Sequence, residues 1–120
     1  MPDRLVVAKE LAEILRITAH PDRIRIIEEL RADEKDVNTL ATELGLPPTR
    51  VSQHLGLMKA HRIVDSRSGG RHNYYHLNQP DIADWIVEGL AFLEGRLSGI
   101  SKSTITTARK LWSADTNTNK

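Results

Sequence analysis

The chain contains no cysteine among its 120 residues, and it has no long hydrophobic run. Without thiols it cannot form a disulfide framework, a thiolate metal site or a thiol redox switch. No stretch approaches the ~20 apolar residues that a membrane span needs, and no apolar run follows a basic start. We therefore expect a cytoplasmic protein without a membrane partner, built as a single domain of residues 1–112 followed by a flexible polar tail of residues 113–120.

Residue groups typical of enzyme sites are also missing from the sequence. We find no glycine-rich phosphate loop and no nucleophile elbow. The five histidines are the only candidate acid–base groups near neutral pH, and none of their spacings resembles a zinc site. The sequence therefore predicts neither an enzyme nor a cofactor, and no catalytic or metal site. His20, which precedes a helix, is expected to cap or pack.

Positive charge is concentrated in the middle of the chain, although the formal net charge is only +1. Residues 47–79 carry five basic residues and one acidic residue, a balance of +4, whereas residues 1–46 balance at −3 and residues 80–120 at zero. A cluster of this kind is typical of a surface that contacts phosphates. Chance clustering on a solvated surface is the alternative interpretation.

The segment from Pro47 to Arg62 predicts a helix with two unlike faces, which begins at its prolines. At about 100° per residue, Val51, Leu55 and Met58 share one narrow arc, the usual core stripe. The opposite face carries short side chains and one amide: Thr49, Ser52, Gln53 and Gly56. Such a face suits a helix that enters the DNA major groove, where Gln53 can pair with an adenine edge. Taken alone, the segment is more typical of an ordinary amphipathic core helix, and its neighbours favour the DNA-binding interpretation.

The flanking segments complete a recognisable order of elements. Upstream, Asn38 to Leu44 predicts a short helix with Asn38 as its N-cap, and Gly45 follows as a left-handed C′ residue. Helix, glycine turn and helix form a helix-turn-helix. Downstream, the strand-like runs Ile63–Ser66 and His72–Leu77 surround a glycine turn at residues 68–70 and form a hairpin, here called the wing. The predicted fold class is mainly α with a small β-hairpin (α+β), a winged helix-turn-helix.

The outer helices carry apolar faces broader than a small domain can cover. The first helix is predicted over Arg4–Ile17, and a second opens at His20-Pro21. After a break at Asn78–Pro80, a long last helix is predicted to begin at Asp81 and to continue through Trp112. The faces in question comprise Leu5, Ala8, Leu11, Ala12 and Leu15 on the first helix, and Ile82, Trp85, Ile86, Gly89, Leu93 and Leu97 on the last. They predict burial against a further surface, with an intramolecular core helix as the alternative.

Over roughly residues 10 to 90 the chain resembles the ArsR-type winged helix-turn-helix repressors. The resemblance rests on three segments in the same order and spacing: Ala19 to Ile27, Val51 to Leu55, and Gly70 to Leu77. It implies a repressor that dimerises through its first and last helices, which makes the apolar faces of those helices a dimer interface. Such a symmetric dimer would bind an inverted-repeat operator in double-stranded DNA.

The resemblance and the residue types together predict which side chains contact DNA. Thr49, Arg50, Ser52 and Gln53 would read or approach bases, whereas His54, Lys59, Arg67, Arg71 and His72 would hold the backbone and groove. Arg71 matches the family's wing-tip arginine, which inserts into or lies along the minor groove, although an exposed arginine could also serve only solubility. His54 lies at the border of the core stripe, so packing under the helix and contacting a phosphate both remain open.

The sequence departs from the family's metal-sensing sites. Asp36 and Asn38 stand where thiolate sensors have a Cys-x-Cys pair, and Gln79, Asp81, Phe92 and Gly95 stand at the zinc positions of another group. A phenylalanine cannot coordinate a metal, so we predict that both metal sites are absent and leave any small-molecule inducer unidentified. Arg62 also departs from the family, in which the helix that enters the major groove commonly ends with glycine. A winged-helix module that docks an acidic protein is the alternative function.

Overall fold

The computed structural model describes residues 2–94, 96 and 102–118. It divides into two compact units, Met1–Gln79 and Pro80–Lys120. The division falls near Pro80, where the sequence predicted a break after the wing. Proline lacks a backbone N–H and restricts the residue before it, so it interrupts regular structure at this point. Among the described residues, no helix has the length and apolar character required to cross a membrane.

The first unit contains four helices: α1 (Pro2–Thr18), α2 (Pro21–Leu30), α3 (Val37–Leu44) and α4 (Pro48–Ala60). Prolines open α2 and α4, as the sequence predicted, because a first-turn residue needs no N–H partner. The side chain of His20 caps α2, since its Nδ1 accepts a hydrogen bond from the Asp22 backbone N–H at 3.1 Å. The predicted capping role of His20 is confirmed.

The N-cap of α3 is Asp36, and the prediction of Asn38 was wrong. The Asp36 carboxylate accepts a hydrogen bond from the Thr39 backbone N–H at 2.8 Å. A capping side chain reaches the N–H two or three residues ahead, and Asn38 already lies inside the helix. At the other end, Gly45 adopts the predicted left-handed conformation with φ of 67°.

The wing consists of antiparallel strands β1 (Val64–Gly69) and β2 (His72–Leu77), whose register runs from Val64↔Leu77 to Gly69↔His72. The first strand is longer than predicted, because the turn is Gly70-Arg71 and Gly70 alone supplies the positive φ, 66°. Gly69 is needed for another reason: a Cβ there would lie 2.7 Å from a ring carbon of Tyr74.

The connection between α2 and α3 also pairs with the wing, which the sequence did not predict. Lys35 donates its backbone N–H to the Tyr75 carbonyl at 3.1 Å and accepts the Tyr75 N–H at 2.8 Å. These two hydrogen bonds attach the base of the wing to the segment that leads into the helix-turn-helix.

The core of the first unit includes the predicted stripe of α4, since Val51, Leu55 and Met58 are fully buried. Helices α2 and α3 contribute Ile26, Ile27 and Leu40, which are also fully buried. Burial of these side chains fixes which face of α4 turns outward, because helix faces alternate with a period of 3.6 residues.

The second unit contains α5 (Asp81–Glu94) and α6 (Lys102–Thr118), which contact each other. The prediction of one long helix was wrong: α5 ends at Glu94, and the backbone N–H of Arg96 donates to the Leu93 carbonyl at 3.1 Å in a turn. The intervening sequence holds two glycines and two serines, which are weak helix formers. Leu97 lies outside the described residues. Helix α6 continues to Thr118, where the sequence predicted a polar tail from residue 113.

Candidate nucleic-acid interface

The outer face of α4 presents short side chains to solvent. Thr49, Ser52, Gln53 and Gly56 are all exposed. Among the residues that the structure describes, the side chains of Thr49, Ser52 and Gln53 have no hydrogen-bond partner. A Cβ added at Gly56 would meet no atom within 4 Å, so the middle of this face is open. Exposed polar side chains without internal partners can form new hydrogen bonds without first breaking existing ones.

Two cations flank this face of α4. Arg50 is 55% exposed, and its guanidinium lies 3.8 Å from a carboxylate oxygen of Asp22. Lys59 is exposed in the last turn, where its Nζ donates to the Ser66 hydroxyl at 2.8 Å. This hydrogen bond joins the end of α4 to the first strand of the wing. Both cations remain accessible to an anion.

Arg71 occupies the turn of the wing and is exposed. It forms no hydrogen bond or ion pair with any residue of the described ranges. Its guanidinium is therefore available at the tip of the hairpin, as the predicted minor-groove role requires.

Arg67, in contrast, is held by an acidic side chain. Its Nε donates to both carboxylate oxygens of Glu34 at 2.9 Å, and a terminal nitrogen of the guanidinium forms an ion pair with the same carboxylate. The guanidinium also lies over the ring of Tyr74, 4.9 Å from its centroid. Hydrogen bonding within the pair raises the pKa of Arg67 and lowers the pKa of Glu34. A phosphate would have to compete with Glu34 for Arg67.

His72 has a similar neighbour. Its Nδ1 lies 3.2 Å from a carboxylate oxygen of Asp36, and its side chain is about half exposed. Hydrogen bonds from Thr39, followed by the proximity of His72, lower the pKa of Asp36. The wing residues predicted to contact DNA thus differ in whether they have an acidic partner. Arg67 and His72 have one, whereas Arg71 has none among the described residues.

The structure supports packing, and not phosphate contact, for His54. Its side chain is only 11% exposed, and both ring nitrogens have partners within the protein. Nδ1 accepts a hydrogen bond from Arg23 Nε at 3.1 Å, and Nε2 lies 3.4 Å from Asp22 Oδ2. The ring also lies 4.6 Å from that of His20. Burial, followed by the proximity of His20 and Arg23, lowers the pKa of His54.

His20, Asp22 and His54 place potential metal ligands within 4.8 Å of one another. However, Arg23 already uses the Nδ1 lone pair of His54, which leaves the proton of the neutral ring on Nε2, facing Asp22. Arg50 also brings a positive charge to within 3.8 Å of this carboxylate. The hydrogen bond of His54 with Arg23 and its contact with Asp22 join α4 to α2. Arg23 extends this connection further, because its Nη1 donates to the Ile17 carbonyl at 2.9 Å.

Sequence reasoning missed Arg23 as a partner of His54. The two residues lie 31 positions apart, and no local pattern links them. Only the packing of α2 against the helix-turn-helix brings the guanidinium to the imidazole.

Helices α1 and α5 each expose apolar side chains. On α1, Leu5, Leu11 and Leu15 are 45–56% exposed, and Ala8 and Ala12 are exposed as well. On α5, Trp85 is exposed, whereas the predicted interface residues Ile82, Ile86, Gly89 and Leu93 are partly exposed. Several exposed apolar side chains on each of these helices are typical of a contact site.

Residues 20–66 match the model of the family described as bacterial regulatory protein, arsR family. The chain is 35% identical over 79 residues to the HTH-type transcriptional repressor SmtB of Mycobacterium tuberculosis, a match that covers 66% of this chain and 58% of SmtB. It thus spans less than two thirds of that relative.

Two solved structures are similar over more of their length. The transcriptional repressor PagR of Bacillus anthracis superimposes with a TM-score of 0.61 at 31% identity, covering 68% of this chain and 94% of PagR. A homodimeric winged helix-turn-helix DNA-binding domain from Mycobacterium bovis superimposes with a TM-score of 0.67 at 25% identity, covering 81% of this chain and 94% of that domain. The domain from Mycobacterium bovis is described as a winged helix-turn-helix, the fold found here in the first unit.

Proposed function

The chain belongs to the ArsR family of bacterial regulatory proteins, and from this premise we propose that it is a dimeric, sequence-specific DNA-binding repressor of transcription. The observation that carries the proposal is the outer face of α4. Its short polar side chains are exposed and have no partner among the described residues, and cations stand on both sides of it. A plain solvated helix would normally carry long charged side chains on such a face.

Within this function, the residues divide into two roles. Thr49, Arg50, Ser52 and Gln53 approach base edges from α4, and Gln53 has the amide that pairs with adenine. Lys59 and Arg71 contact phosphates, or the minor groove in the case of Arg71. We do not include His54 among the DNA contacts, because its side chain packs between α4 and α2 with Arg23 and Asp22 as partners. Phosphate contacts dominate affinity, so binding is expected to weaken steeply as salt increases.

A second copy of the chain is the partner proposed for the apolar residues of α1 and α5. The domain from Mycobacterium bovis is described as homodimeric, which supports the same state here. Two-fold symmetry would place two α4 helices about one DNA turn apart and so predict an inverted-repeat operator. Light scattering on the full chain measures the state directly. Leu11→Glu places a charge on this face and should give a monomer, whereas Lys9→Glu, on the same helix, should not.

Selection of bound sequences from random DNA tests the DNA-binding function. The recovered sites should contain an inverted repeat. On such a site, Gln53→Ala should reduce discrimination at one base pair by about 1–3 kcal/mol, whereas Arg71→Ala should weaken specific and random duplexes alike. Equal losses on both duplexes for Gln53→Ala would remove it as a base reader. Failure of the wild type to bind any duplex at low salt would refute the proposed function.

A further inference from the structure

The segment of residues 34–36 lies along the base of the wing. Its side chains point alternately to the wing and to the helices of the first unit. Lys35 pairs with Tyr75 through both backbone hydrogen bonds. Its side chain extends to Glu29 and Glu43, at 3.0 and 2.7 Å, within the body of the first unit. The neighbours of Lys35 contact the wing instead, as expected when successive side chains of an extended strand alternate.

Those two neighbours are acidic, and each meets a wing residue that was predicted to contact DNA. Glu34 binds Arg67 through both carboxylate oxygens, and Asp36 lies 3.2 Å from His72. Carboxylates of the protein itself therefore contact side chains that were predicted to bind phosphates. In the unbound protein, Arg71 is the wing cation that remains without a partner among the described residues.

We propose that Glu34 is an intramolecular competitor of DNA that keeps Arg67 from phosphates and so limits the affinity of the wing for any duplex. The proposal rests on the DNA-binding function proposed above. It adds that the acidic segment before the helix-turn-helix takes part in setting that affinity.

The pair is placed so that DNA can displace it. The side chain of Glu34 is 29% exposed and that of Arg67 is 55% exposed, so water and salt reach both groups. Exposed ion pairs are weak and are screened by salt. A phosphate can therefore exchange with Glu34, but the exchange recovers less free energy than a phosphate contact with an unpaired arginine.

Binding of full-length protein to a random-sequence 30-base-pair duplex tests this role without knowledge of the operator. Glu34→Gln keeps the shape of the side chain and removes its charge. We expect it to raise affinity about 2- to 10-fold in a dimer with two wings, and to make the salt dependence steeper by about one phosphate contact for each wing.

Two further variants separate this effect from a general change of charge. Asp33→Asn makes the same charge change one residue away, at a side chain that accepts only the backbone N–H of Glu34 among its described hydrogen bonds. It should raise affinity by much less. In the background of Arg67→Gln, the gain from Glu34→Gln should disappear.

Three results would overturn the role of Glu34. Equal gains from Glu34→Gln and Asp33→Asn would show a non-specific charge effect. A loss of affinity in Glu34→Gln would show that Glu34 holds Arg67 ready for DNA. A gain that persists without Arg67 would assign the effect to another residue. In each case the wild type still binds DNA, so the proposed function survives, whereas absence of binding by every variant removes both.

Discussion

Replacing Arg62 by glycine should stabilise the protein. Arg62 has φ of 60° and is the non-glycine residue with positive φ in the described part of the chain. It follows the end of α4 in a Schellman arrangement: the Ile63 N–H donates to the Met58 carbonyl at 2.9 Å, and the Arg62 N–H donates to the Lys59 carbonyl at 3.0 Å. A side chain in this left-handed conformation is strained, because its Cβ crowds the following carbonyl oxygen.

The expected gain is the difference between two effects. Left-handed backbone costs a residue with a Cβ roughly 1–2 kcal/mol, a cost that glycine does not have. Glycine in turn loses about 0.4–1 kcal/mol through its greater freedom in the unfolded chain. Arg62→Gly should therefore raise the free energy of unfolding by about 0.5–1 kcal/mol, or Tm by about 2–4 °C. The hydrogen bond from Asn78 Nδ2 to the Arg62 carbonyl, 2.9 Å, involves backbone and persists.

Arg62→Ala is the matched control, because it removes the same charge and side chain but keeps the Cβ. Its stability should equal that of the wild type or fall below it. Urea and thermal unfolding, followed by circular dichroism at one fixed protein concentration, compare the three proteins without a change in dimer dissociation. Both variants should lose the same DNA affinity, since each loses one cation beside α4. Equal stability of the glycine and alanine variants would refute the assignment of strain to residue 62.

Three further predictions concern other parts of the first unit. Because the pKa of His54 is lowered in the folded protein, the unfolded chain binds a proton at this residue more readily. The free energy of unfolding should therefore fall as pH decreases below about 6.5. His54→Gln should make the free energy of unfolding depend less steeply on pH. Asp36→Ala should destabilise the protein by about 1 kcal/mol through loss of the α3 cap, whereas Asn38→Ala should have almost no effect in the same denaturation experiment. Leu55→Ala should cost about 2–5 kcal/mol, since Leu55 is fully buried, and a cost under 1 kcal/mol would contradict the assigned core.

The helix-turn-helix could be predicted from the sequence because its determinants are local. The spacing of Val51, Leu55 and Met58 predicts the buried side of α4, and the structure confirms it. Gly45 was also assigned correctly to a left-handed position, since a turn of this type has few alternatives to glycine. Within the glycine turn predicted for residues 68–70, the positive φ falls at Gly70. The exposed face of α4 follows directly from these assignments.

Two predictions from the sequence were wrong, the N-cap of α3 and the length of the helix after Pro80. Asp36 and Asn38 are both good capping residues, and the start of the helix at Val37 selected Asp36. The apolar repeat after Pro80 continues past Glu94, but its period alone did not reveal that α5 ends there. Periodicity describes which face is apolar, and it does not fix where a helix must stop.

The sequence by itself therefore determined the order of the elements, the inward and outward faces of α4, and the concentration of cations around α4 and the wing. Only the tertiary structure decided which of those cations have an acidic partner within the protein. Glu34 reaches Arg67 across 33 positions, and Arg23 reaches His54 across 31. Such pairings depend on the packing of separate elements, whereas helix faces and turns depend on neighbours within a few residues along the chain.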